Sequence, residues 1–175
     1  MWGWITGTDA AATATTEEQS STGYESGNVS EKIIFNAPLE VALQVITDYE
    51  KYPEFVTGSY EAKKVKTDQD GGQVVFYSSS LSFKTIDYTL IHYLNPEKDG
   101  ITWKNTDDGP WAKNVGGWKL KKISDTETEA TYYVVMELSI WTPAFLKDWI
   151  ISSQLPAMLE AFKKRVEEVY AKQKK

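Results

Sequence analysis

Between residues 59 and 140 the chain alternates short runs of β-branched and aromatic residues with clusters of Asn, Asp, Gly and Pro. Such punctuation predicts an antiparallel meander. The runs are YEAKKVKT, QVVFYSSSLSF, KTIDYTLIHYL, ITWKN, WAKNVGGWKLKKI and ATYYVVMELSI. An earlier run, EKIIFNA, begins near Ser30 and predicts a first strand. Pro38 suits the first turn of a helix. Leu39, Ala42, Leu43 and Ile46 then recur at helical spacing, which predicts a short amphipathic helix over 38–48. In DYEKYPEFV, Pro53 predicts a break and a second short turn. After Pro143 the period becomes helical. Ile151, Leu155, Met158, Leu159, Phe162, Val166, Val169 and Tyr170 form one stripe, with Lys163, Lys164, Arg165, Glu167 and Glu168 on the other side. Pro156 falls inside that stripe, so the helix either restarts or kinks there.

Composition narrows the picture. A chain of 175 residues suits one domain, and such a length needs no metal or disulfide to fold. Residues 8–28 are small, polar and poor in aliphatics, so 1–28 are predicted to be a disordered or loosely attached tail and 29–175 the folded domain. Trp2 and Trp4 in that tail are candidates for folding back onto the domain, for contact with a peripheral membrane surface or partner protein, or for no role. The chain has no cysteine, which excludes disulfides, zinc–thiolate sites, iron–sulfur clusters and thiol catalysis. The net charge of -6 makes a nucleic-acid partner unexpected. Lys63, Lys64 and Lys66, and Lys172, Lys174 and Lys175, read as a solvated strand edge and a solvated tail. No apolar run is long enough to span a membrane, and MWGWITG has no basic n-region. The expected location is cytoplasmic, although a signal peptide already removed would leave no trace.

Side chains alternate across a strand. In KTIDYTLIHYL, Ile86, Tyr88, Leu90, His92 and Leu94 share the more apolar face and are predicted to turn inward. The same alternation turns Ile101 and Trp103, Trp118 and Leu120, and Tyr132, Val134, Met136 and Leu138 inward. The terminal helix adds Leu155, Met158, Leu159 and Phe162. On pattern alone these residues describe a packed core as readily as a pocket. His92 is the only histidine; it is a candidate hydrogen-bond partner or general base, or a structural residue. Without cysteine it makes no strong transition-metal site by itself. No metal and no cofactor are assigned. Asp48, Glu50 and Glu54 read as solvated helix-end charges rather than a cation site. Ser78, Ser79, Ser80 and Ser82 lack a nucleophile-elbow turn and a second histidine, which disfavours serine hydrolysis. Gly71-Gly72 and Gly116-Gly117 do not match a phosphate loop. The second pair is predicted to bend its strand so that the sheet curls.

Three segments carry a family resemblance. They are PLEVALQVITDYEKYPEFVTGSYEAKKV at 38–65, with its Asp-Tyr-x-x-Tyr-Pro-x-Phe core, then DGPW and GGWKLKKI within 108–123, and Leu-Pro-x-x-Leu-x-x-Phe-x-x-Arg-Val at 155–166. Together with the element order, they resemble the START-like (SRPBCC) superfamily, and within it the polyketide cyclase/dehydrase and coenzyme Q-binding branch. The resemblance spans roughly residues 30–170. It implies an α+β helix-grip fold, in which about seven curved antiparallel strands wrap a long C-terminal helix and two short helices follow strand 1.

The resemblance also implies a cavity that binds, and in some members transports, a hydrophobic molecule such as a lipid, quinone or polyketide. Tyr52 and Phe55 join the ligand-binding candidates, with an entrance expected near residues 52–60, where Pro53 and Gly58 permit a movable lid. A non-catalytic carrier is the favoured reading. The alternatives are a cyclase/dehydratase-type enzyme, with His92 or Tyr88 moving protons, and a protein-interaction module, as in relatives that associate with large assemblies.

Overall fold

The computed structural model describes residues 28–81, 84–139, 141 and 143–175. The tail expected over 1–28, with Trp2 and Trp4, lies outside the described residues apart from Asn28. In chain order the elements are β1 Asn28–Phe35, α1 Leu39–Thr47, a 3-10 helix Tyr49–Glu54, β2 Ser59–Thr67, β3 Gln73–Leu81, β4 Lys84–Leu94, β5 Gly100–Asn105, β6 Trp111–Ser124, β7 Glu127–Leu138, α2 Ala144–Trp149, a π turn Ile150–Gln154 and α3 Leu155–Gln173. The seven strands form one antiparallel sheet in the order β1-β7-β6-β5-β4-β3-β2. With α3 lying across it, this is the helix-grip arrangement.

Local chemistry explains the turns. In the β2–β3 hairpin, the Asp68 carboxylate accepts from Asp70 N at 3.0 Å and Gly72 N at 2.5 Å. Gly71 there has φ +82°, a conformation that favours glycine. Pro53 sits inside the 3-10 helix rather than in a regular α-helix, because its missing N–H is tolerated in so short a turn. Pro156 acts differently from a simple restart. The backbone stays right-handed helical through Gln154 and Leu155, and the π turn just upstream takes up the misfit that a ring inside a helix creates.

The sheet's inner face and α3 share the core. Leu155, Leu159, Phe162 and Val166 of α3 are buried, as are Val41, Ala42, Val45 and Ile46 of α1. The second half of α3 is tied to the end of β1. Asn36 donates from its backbone N (3.0 Å) and its Nδ2 (2.7 Å) to Glu167, which also receives Lys163 at 2.8 Å. Nearby, the buried Thr128 hydroxyl donates to Ala37 O at 2.8 Å.

Gly116 and Gly117, expected to bend β6, form no bulge in it. The β6–β7 ladder runs unshifted through them, and its irregularities lie between Trp111 and Lys113 and between Lys122 and Ser124. The glycines permit close approach of neighbouring groups. A Cβ at Gly116 would stand 2.3 Å from Tyr133 O and 2.6 Å from the Trp103 ring, and one at Gly117 would stand 2.5 Å from Ile101 O. Leu94, in phase with the inward residues of β4, is 51% exposed; as the last residue of its strand it falls outside the covered area.

Candidate functional site

A pocket of about 230 Å³ lies between the sheet and the helical layer. The inner-facing residues of β3 to β7 form its floor, and α3 with the π turn forms its roof. Its half-exposed lining residues are concentrated at Val56–Ser59, Ser79–Ser80 and Trp149–Gln154. These three segments therefore make the rim, while Leu90, Ile101, Trp103 and Trp118 are buried at depth.

Of the residues expected to meet a ligand, Tyr52, Tyr88, Leu90, His92, Trp103 and Trp118 line this pocket. So do Tyr132, Met136, Leu155, Met158 and Phe162. Phe55, Val134 and Leu159 do not. Phe55 packs edge-on against Tyr52 and Phe162, at 5.8 Å and 5.1 Å, with the Arg165 guanidinium 5.5 Å from its ring. Val134 and Leu159 are core residues. Alternation identifies the inner face of a strand or helix but not how far along it the layers separate.

Tyr77, Trp111, Asn114 and the rim residues on the π turn also line the pocket without being expected from the sequence, as does Ser79, which the sequence offered only as an unfavoured hydrolase candidate. β3 hides its inner face because Val74 and Phe76 on one side balance Val75 and Tyr77 on the other. Asn114 carried a usable signal. It lies in phase with Trp118 and Leu120, a polar residue in an apolar stripe.

Aromatic contacts hold the walls. Tyr77 stacks on Tyr88 at 5.5 Å, Trp103 meets Tyr132 at 5.6 Å, and Trp118 meets Phe162 at 5.2 Å. Stacked and tilted arrangements such as these fix ring positions at little entropic cost. The Tyr52 hydroxyl donates to Ile46 O at 2.5 Å, joining the 3-10 helix to α1. On the outside, Arg165 of α3 donates to Glu54 at 2.7 Å and Lys51 to Glu54 at 2.8 Å. Glu50 accepts from Lys64 N at 3.2 Å. These carboxylates are thus engaged in surface ties. Among the described residues, no group of three or more His, Cys, Asp or Glu could hold a metal ion.

His92 is 4% exposed and stacks on Tyr49 at 4.3 Å. Its Nε2 lies 2.9 Å from the Tyr77 hydroxyl. Tyr88, by contrast, has its hydroxyl 3.5 Å from Ser79 Oγ. Burial pulls the His92 pKa down to about 3, so the ring is uncharged at neutral pH. Burial also holds Tyr52, Tyr77, Tyr88 and Tyr132 above the usual phenol range. The titratable lining is therefore neutral. This arrangement can desolvate and orient an apolar guest; it offers no charged acid–base pair.

Residues 35–163 match the family model described as polyketide cyclase / dehydrase and lipid transport. A search of curated proteins finds no significant match. Among solved structures, an aromatase/cyclase from Streptomyces sp. R1128 superposes with TM-score 0.71 at 16% identity, covering 80% of this chain and 93% of that one. A START superfamily protein from Mycobacterium smegmatis gives TM-score 0.71 at 16% identity, covering 81% and 98%. Human StAR-related lipid transfer protein 5 gives 0.70 at 12% identity, covering 81% and 76%. At these identities the likeness is one of fold.

Proposed function

The chain belongs to the polyketide cyclase/dehydrase and lipid transport family, and from that premise we propose that it binds and carries an apolar small molecule in the pocket beneath α3. The observation that carries this reading is the lining itself. Aromatic and aliphatic side chains dominate it, and among the described residues none of the lining is Asp, Glu, Lys or Arg. Mostly apolar concavities with a few placed polar groups are the usual form of small-molecule sites. Removing apolar surface from water favours occupancy by roughly 25 cal/mol per Å².

The direct test is mass spectrometry of the gently ionised full-length protein, with solvent extraction in parallel. One apolar compound per chain is expected, or saturable uptake of an uncharged hydrophobic dye. Met158→Trp, which places bulk in the pocket from the roof, is expected to abolish uptake without unfolding the domain. Protein that is empty and also refuses every such dye would sink the reading.

The aromatase/cyclase neighbour and the Tyr77–His92 contact favour a second reading, a cyclase-type enzyme with His92 as base. A base works best when its pKa lies near the working pH, and burial takes His92 far below it. The carrier reading therefore stands first. Turnover of a polyketide-type substrate that disappears in His92→Ala would reverse that order.

A further inference from the structure

The pocket wall carries hydrogen-bond donors for which the described protein supplies no acceptor. Trp103 Nε1 donates to Asn114 Oδ1 at 3.0 Å. An indole nitrogen only donates, so this contact fixes the amide, with its oxygen toward Trp103 and its NH2 turned away. That NH2 makes no hydrogen bond to a described residue and, unlike the Trp111 indole nitrogen, is not sealed off; Asn114, 6% exposed, lines the pocket. Trp111 lines the same pocket, and its Nε1 is buried with no partner. A buried donor without an acceptor is destabilising.

An irregularity in β6 sets these two residues together. Asn114 lies opposite Met136, Lys113 opposite Glu137 and Trp111 opposite Leu138, so Ala112 is an extra residue in the ladder. Without it, strict alternation would put positions 111 and 114 on opposite faces of the sheet. The bulge turns both toward the pocket. A second constraint is charge. With no charged side chain among the described lining residues, an ionised group entering the pocket would shed its hydration and meet no counter-charge.

Resting on the carrier reading, we propose that Trp111 and Asn114 form a two-donor subsite that reads a carbonyl-type acceptor oxygen on an uncharged apolar ligand. The ligand class is thereby narrowed to neutral ketones, quinones, esters and similar compounds, as against free carboxylates or phosphates.

Three probes of one shape test this on the full-length protein: methyl naphthyl ketone, its isopropenyl hydrocarbon isostere, and naphthoate. In the wild type both neutral probes are expected to bind and naphthoate to bind far more weakly. Trp111→Phe keeps a ring and removes the N–H. It is expected to weaken the ketone about tenfold and the hydrocarbon less than about twofold. In the wild type, the Trp111 indole N–H resonance is expected to move downfield with the ketone and not with the hydrocarbon. This measurement decides the matter even if the variant does not fold. Equal weakening of both probes, or no selective shift, overturns the subsite while leaving the carrier reading intact. Naphthoate binding as tightly as the ketone overturns the neutral-ligand claim. Rejection of both neutral probes by the wild type overturns the subsite, and the carrier reading with it where the protein is also empty and refuses uncharged dyes.

Discussion

His92 is a basic group that the fold keeps uncharged, and this has a definite sign in pH dependence. Its pKa falls from an ordinary 6.5 to about 3 through burial. Between those values the unfolded chain binds a proton that the folded chain does not, so stability falls as pH falls. Above the ordinary value the group contributes no slope. The loss is at most about 1.4 kcal/mol per pH unit within that window. His92→Gln keeps a partner for Tyr77 but cannot ionise. Urea unfolding of both proteins at about pH 7.5 and about pH 4.5 is expected to show the wild type losing its advantage on acidification. A constant difference would mean that His92 is not buried as described. Gly116 gives a second test at this scale. Its missing Cβ leaves room for the Tyr133 carbonyl and the Trp103 ring. Gly116→Ala is expected to cost about 2 kcal/mol or more, because a backbone atom cannot yield as a flexible side chain does. The glycine pair was visible in the sequence, but its role was not. Curvature and close approach both call for glycine, and the close approach is made by neighbours on β5 and β7 that the sequence alone does not place.

At the scale of elements, strands and helices were legible because their periods of two and about 3.6 leave different marks. The Asp68–Gly72 turn announced itself by composition. The bulge at Ala112 left no such mark, since no glycine or proline occupies it, and with it went the placement of Trp111. The roof was half legible. Pro156 signalled an interruption, yet the chain widens into the π turn Ile150–Gln154 instead of breaking. That turn carries Ile150 and Gln154 to the rim, beside Trp149. Pro156→Ala removes the ring that opposes a regular helix, and loss of one inserted residue would rotate the preceding turn by about 100°. Trp149 and Ile150 would then swing off the pocket. Weaker uptake of an uncharged dye is expected, with no fall in thermal midpoint. Unchanged uptake would show that the π turn does not depend on the proline.

For the molecule as a whole, the element order and three short segments were enough to indicate the family, because connectivity is a long-range property that many residues specify together. The pocket's occupant was not legible, since it depends on a handful of polar atoms whose partners come from separate strands. The sheet's open sides are β1 and β2. Exposed Lys63, Lys64 and Lys66 on β2, together with shifts in its pairing, discourage another chain from adding to that side. A different consequence follows from the space of about 230 Å³ under α3. Unfolding abolishes such a space, so the unfolded chain with its water occupies less volume than the native one. The empty protein is therefore expected to yield to hydrostatic pressure more easily than a solid-cored Met158→Trp variant, as followed by tryptophan fluorescence in a pressure cell. Saturation with an apolar guest should raise the midpoint pressure, which would make compression a way to tell loaded protein from empty.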